Sequence, residues 1–176
     1  MSQGFIYEAQ EKALRPYVKD RVIHDLGAGN LYLSTVLMLL GAREVIAVDK
    51  EPIHDGDYGY PAKITAGITP VVSLVQDLKQ PVAVGFVSWP VNWDIGLADV
   101  LRDSELVIYL GCNTDGTACG DRSFWMQMIG REVLAYVPKR GNTLIIYGSK
   151  RVLREPLHEE ACALDTRTIH EFSDAV

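Results

Sequence analysis

The sequence predicts an α/β domain built on a mostly parallel, doubly wound sheet of seven strands with helices on both faces. Three observations carry this. Short β-branched runs alternate with segments of helical spacing along the chain, without a composition break, a low-complexity tract or an internal repeat. The first such run ends in a Gly-x-Gly turn, Asp25-Leu26-Gly27-Ala28-Gly29-Asn30, and the next ends in a second acid, Asp49. At 176 residues and 48% hydrophobic, the chain is long enough for one compact domain with a core, and residues 1–176 are read as that single domain.

The elements follow in order. Phe5 to Lys19 has helical apolar spacing, with Pro16 expected to bend or end it. Arg21 to Leu26 is the first strand, followed by a helix from about Asn30 to Leu40 that stops at Gly41, a residue suited to a left-handed cap. Glu44 to Asp49 is the second strand. Lys50 to Thr69, rich in Gly, Pro, Asp and Tyr, has no clear period and reads as a short helix or a long loop. Pro70 to Gln76 and Pro81 to Ser88 are strands three and four, Asp94 to Asp103 a short helix, and Glu105 to Leu110 strand five. Arg122 to Val137 has the length and spacing of a covering helix with Asp121 as N-cap, and Asn142 to Tyr147 is strand six. In the polar tail, Thr166 to His170 alternates as an edge strand would, returning antiparallel to strand six.

Composition excludes several classes of function. A net charge of −6 and a sequence pI near 5.2 leave no general attraction for phosphate backbones, so nucleic acid is a disfavoured partner. The apolar run Leu31 to Leu40 is too short to span a bilayer and is interrupted by Tyr32, Ser34 and Thr35, so no membrane partner is expected. The first residues lack the basic and apolar regions of a signal peptide, so a cytoplasmic location is expected. Cys112, Cys119 and Cys162 form no CxxC pair, which points to thiols and not to a disulfide framework or zinc site. His54-Asp55-Gly56-Asp57 reads as a solvated loop, and no metal is assigned.

The glycine turn and the two acids together describe a nucleoside site. Gly27 and Gly29 allow a tight turn and close ligand approach, the helix behind them offers free amides, and Asp49 is placed to take both hydroxyls of a ribose. A dinucleotide would need a third glycine where Tyr32 stands, and would give Asp25 no positive group to face. A ligand carrying an ammonium or sulfonium cation accounts for Asp25 better.

These residues resemble the class I S-adenosylmethionine-dependent methyltransferases, over roughly Val22 to Tyr147. The family's acid-x-Gly-x-Gly-x-Gly is matched by Asp25, Gly27 and Gly29 and departs at Leu31, where the third glycine is missing. The resemblance implies a Rossmann-like methyltransferase fold and S-adenosyl-L-methionine as cofactor. It implies that Asp25, Gly27, Ala28, Gly29 and Asn30 hold the cofactor, with Asp49 and Lys50 at the ribose and Asp77 and Leu78 at the adenine. It further implies that Ser88, Trp89 and Pro90 line the methyl-transfer site. Those three residues do not supply the strand-four set of amino-methylating DNA enzymes, so the expected acceptor is a small molecule or a protein. Gly111 to Asp121 reads as a surface turn or, on a functional reading, as a wall of the acceptor pocket. Two other readings compete: a non-catalytic cofactor-binding module, motivated by Leu31 and the small size, and an NAD-dependent oxidoreductase, against which Tyr32 and the lack of a hydride-transfer pair both speak.

Overall fold

A computed structural model describes residues 6–51, 66–90, 96–112 and 119–150. Its elements are α1 (Glu8–Val18), β1 (Val22–Leu26), α2 (Tyr32–Leu39), β2 (Glu44–Asp49), β3 (Ile68–Val72), β4 (Val84–Ser88), α3 (Leu97–Val100), β5 (Leu106–Gly111), α4 (Arg122–Ile129), β6 (Arg131–Val137) and β7 (Thr143–Lys150). The strands form one seven-stranded sheet in the order β3-β2-β1-β4-β5-β7-β6. All pairings are parallel except those of β7, which runs against both β5 and β6.

Side chains alternate across the sheet, and each face meets its own helices. Ile23, Val45, Ala47, Phe86, Ile108 and Ile146 pack with Leu14 and Val18 of α1 and Leu33 and Leu37 of α2. Leu26, Val48, Val87, Val107, Tyr109 and Ile145 pack on the other face with Leu97, Phe124 and Met128 of α3 and α4. The predicted fold class is the observed one. Strand order reverses between β1 and β4, whose carboxyl ends carry the glycine turn and Ser88, and such a reversal opens a crevice in a doubly wound sheet.

The chain departs from the predicted elements in particular places. Pro16 lies within α1, near its last turn, and the helix runs on to Val18. β3 begins earlier than expected, at Ile68, and Val75–Asp77 is a 3-10 turn instead of strand. The short helix covers only Leu97–Val100; residues 91–95 lie outside the described residues. The covering helix predicted over Arg122 to Val137 ends at Ile129, and after Gly130 the chain becomes β6. Pairing with β7 and one buried side chain override the helical spacing there. Arg131 donates to the carbonyls of Leu101 at 2.6 Å, Arg102 at 3.1 Å, Ser104 at 2.8 Å and Gly148 at 2.9 Å, so its guanidinium caps the end of α3 and anchors the start of β6. The predicted strand six is consequently β7, the reversed strand, and the count of seven is reached without the Thr166 to His170 segment, which lies outside the described residues.

Candidate functional site

The turn after β1 is built by backbone conformation first. Gly27 has φ +85° and Gly29 φ +54°, values at which a side chain is strained, and a Cβ on either would meet nothing within 4 Å. The glycines therefore serve the turn and leave open space above it. The N–H groups of Gly27 and Ala28 donate to the Val48 carbonyl at 2.8 and 3.0 Å, tying the turn to β2. Ala28 is buried, and the Asn30 side chain accepts the N–H of Tyr32 at 3.2 Å at the start of α2.

Leu31, at the place of the missing glycine, is the N-cap of α2 with φ 63° and ψ 7°. The backbone thus keeps the left-handed conformation that a glycine would adopt, at a cost of ~1–2 kcal/mol for a residue with a Cβ. Its side chain is 1% exposed and belongs to the core beneath α2, not to the crevice. Loss of a buried leucine costs ~2–5 kcal/mol, and relief of the left-handed strain offsets part of it. Leu31→Gly should therefore lower stability by ~1–3 kcal/mol in urea denaturation while leaving ligand affinity within about twofold. A tenfold gain in affinity would place the side chain in the ligand's path.

Asp49 faces the turn from the end of β2. One carboxylate oxygen accepts the Gly29 N–H at 2.8 Å and the other the Glu51 N–H at 3.1 Å. Both oxygens are thereby oriented at the rim of the crevice, half-buried, with lone pairs left for further donors. Lys50 is exposed, its ammonium 3.7 Å from the Glu51 carboxylate.

Asp25 is placed differently from what a ligand-facing acid requires. It is fully buried on the α2 side of β1; the Ser34 hydroxyl donates to one oxygen at 2.6 Å, and the other oxygen has no protein partner. Burial pushes its carboxyl up to about 7; the Ser34 hydrogen bond opposes this rise and the nearby Asp49 charge adds to it. Ser34 was not expected from the sequence: Tyr32 and Thr35 carry hydroxyls in the same run, and only the structure shows that Ser34 alone of the three is buried.

Asp77 is exposed in the 3-10 turn after β3, and Leu78, partly buried, packs against the core on the α3 and α4 side. Gly96, with φ +74°, brings the start of α3 against this turn: a Cβ there would lie 2.6 Å from that of Gln76.

Across the crevice, Ser88 ends β4 half-buried, and Trp89 adopts φ 47°, an uncommon conformation for an aromatic residue. Three bonds hold this corner. The Trp89 N–H donates to the Leu110 carbonyl at 2.8 Å, its indole N–H to the Asn142 side chain at 3.2 Å, and the Gly120 N–H to the carbonyl of the buried Pro90 at 3.0 Å. Asn142, just ahead of β7, was not expected from the sequence. Asp121 caps α4 as predicted, accepting the Phe124 N–H at 2.7 Å. Residues 113–118 of the predicted acceptor wall, the His54 to Asp57 loop, His158 to Glu160 and Cys162 lie outside the described residues.

The structure therefore brings together the turn, Asp49 and the β4 corner at the carboxyl edge of the sheet, and sets Asp25 beneath that edge. Solved structures share the fold that carries these residues. The magnesium protoporphyrin IX methyltransferase of Synechocystis, solved with bound SAM, matches at 11% identity over 85% of this chain and 87% of that one, with a TM-score of 0.58. The ribosomal protein L11 methylase of Lactobacillus delbrueckii matches at 16% identity over 84% and 81%, TM-score 0.53. The 1,6-didemethyltoxoflavin-N1-methyltransferase of Burkholderia thailandensis, solved with S-adenosylhomocysteine, matches at 12% identity over 81% and 77%, TM-score 0.54. The chain has the class I methyltransferase fold. No family model and no curated protein sequence matches it. In this methyltransferase fold, no group of three or more His, Cys, Asp or Glu suited to a metal occurs among the described residues, and no described helix is long and apolar enough to cross a membrane.

Proposed function

We propose that this chain is an S-adenosylmethionine-dependent methyltransferase acting on a small-molecule or protein acceptor. The observation that carries the reading is the pairing of Asp49 with the Gly29 amide across a turn open to solvent, on the methyltransferase fold. That carboxylate is oriented to accept two ribose hydroxyls, and Gly27 and Gly29 leave the space a ligand needs. The solved structures holding SAM or S-adenosylhomocysteine support the same cofactor here.

When bound, the cofactor supplies an activated sulfonium methyl, and the protein's task is alignment of the acceptor. Asp49 would fix the nucleoside end, Asp77 and Leu78 would flank the adenine, Lys50 would contribute charge at the rim, and Asp25, buried beneath the turn, would brace it against α2 through Ser34. Ser88, Trp89 and Pro90 would form the acceptor wall, with Trp89 locked by bonds to β5 and Asn142 so that its ring is set before the acceptor arrives.

The non-catalytic alternative rested on Leu31 and on the small size, and the left-handed backbone retained at Leu31 with its side chain in the core weakens the first ground. Incubation of the protein with methyl-labelled S-adenosylmethionine and a metabolite and protein extract tests the proposal: label should move to an acceptor. Trp89→Ala should lower that transfer by about ten- to a hundredfold with cofactor affinity little changed, as expected when orientation alone is lost. No transfer to any extract by a protein that binds the cofactor would leave a binding module.

A further inference from the structure

Cys112 follows the carboxyl end of β5, and Cys119 stands two residues ahead of Asp121, the N-cap of α4. Both cysteines are buried, 7% and 4% exposed, and neither is in a disulfide. The Cys112 backbone N–H donates to the Cys119 sulfur at 3.4 Å. With an N–Cα bond of about 1.46 Å, that sulfur lies at most ~4.9 Å from the Cys112 Cα. In a disulfide the partner's sulfur stands three bonds from the Cα, a reach of roughly 4–5 Å, so this spacing admits a bridge.

Groups other than the thiols hold the two residues in place. The Tyr109 hydroxyl donates to the Cys112 carbonyl at 2.8 Å and to the Cys119 carbonyl at 3.4 Å, straddling both. The Trp125 indole N–H donates to the Cys119 carbonyl at 3.1 Å, and its ring meets Tyr109 edge-on at 5.0 Å. Burial raises the Tyr109 phenol above its ordinary range, so it remains a donor at any working pH.

We propose that Cys112 and Cys119 are a redox modification site that closes to an intramolecular disulfide when the protein meets a peroxide. One thiol gives up its proton and attacks hydrogen peroxide; the O–O bond breaks, a sulfenic acid forms, and the departing hydroxide takes up that proton and leaves as water. The second thiolate attacks that sulfur, the S–O bond breaks as the S–S bond forms, and a second water leaves. Two thiols and one peroxide thus give one disulfide and two waters, the sulfurs oxidised and the peroxide reduced. A dithiol reductant reverses it by exchange. The Gly120 N–H donates to the Pro90 carbonyl, so a shift of Cys119 on bridging would bear on the Trp89 corner. That consequence for methyl transfer rests on the proposed function; the disulfide does not.

The test treats the whole protein with a few equivalents of hydrogen peroxide, alkylates remaining thiols, and maps the peptides by mass spectrometry. The expected result is a Cys112–Cys119 cross-link with the loss of two hydrogens, reversed by dithiothreitol, with Cys162 still alkylated. Melting of the oxidised protein should rise by ~5–10 °C over the reduced form, as expected for a short closed ring. Cys112→Ser should lose both the cross-link and the rise. Alkylation of both thiols after treatment, their oxidation to sulfinic acids without a cross-link, or a bridge to Cys162 or to a second molecule would each overturn the proposal. All of these readouts stand whether or not methyl transfer is found.

Discussion

Replacing Asp49 with alanine should weaken S-adenosylhomocysteine binding by about a hundred- to a thousandfold while the protein stays folded. Hydrogen bonds to a charged acceptor are worth ~1.5–3 kcal/mol each, and a ribose presents two donors, so at the solvent-exposed low end of that range the loss is ~3–4 kcal/mol. Every 1.4 kcal/mol is about tenfold in affinity. The folded state bears little of the cost. The Gly29 and Glu51 amides that Asp49 now accepts at 2.8 and 3.1 Å lie at an exposed rim, where water replaces the carboxylate. Calorimetric titration of the variant checks this, with circular dichroism confirming the fold. Unchanged affinity would mean that the ribose is held elsewhere.

Asp25→Asn should reverse part of the protein's pH dependence of stability. The Asp25 carboxyl sits at about 7 in the folded protein because it is buried, against about 3.9 in an unfolded chain. Between those values the folded state holds a proton that the unfolded state has released. The stability this acid contributes is therefore full below about pH 4 and is lost as pH rises through 7, the opposite of an ion-paired carboxylate. At ~1.4 kcal/mol per pH unit over about three units, the loss approaches ~4 kcal/mol at the upper bound. Asparagine is neutral throughout, so wild type should lose ground to the variant steadily from about pH 5 to 7, and the difference should level off by about pH 8, when both are unfolded in urea. A constant difference across that range would show that the carboxyl is not strained by burial. Ser34→Ala removes the hydrogen bond that favours the ionised form and should carry the loss of stability on to higher pH than in the wild type.

The parts legible in the sequence are those where local chemistry and tertiary position agree. β1, β2 and β5 are β-branched runs buried on both faces, and the Gly27 and Gly29 turn can be read directly because positive φ restricts the residue type. Asp121 was readable as a cap for a similar reason. Residues 131–137 were not, because their apolar spacing also fits a helix; the strand is selected by β7 and by the Arg131 clamp on carbonyls distant in sequence. Asp25 could be recognised as an acid ahead of the glycines, but its burial depends on Ser34 packing down from α2, and such a contact leaves no spacing signature. Nor do the left-handed conformations of Leu31 and Trp89, two non-glycine residues held by the structure around them.

The most direct test of the account is calorimetric titration of the purified full chain with S-adenosylmethionine, S-adenosylhomocysteine and NAD. Saturable binding of the first two with one site per chain, and none of NAD, is the predicted result. Binding of NAD alone, or of none of the three, would contradict it.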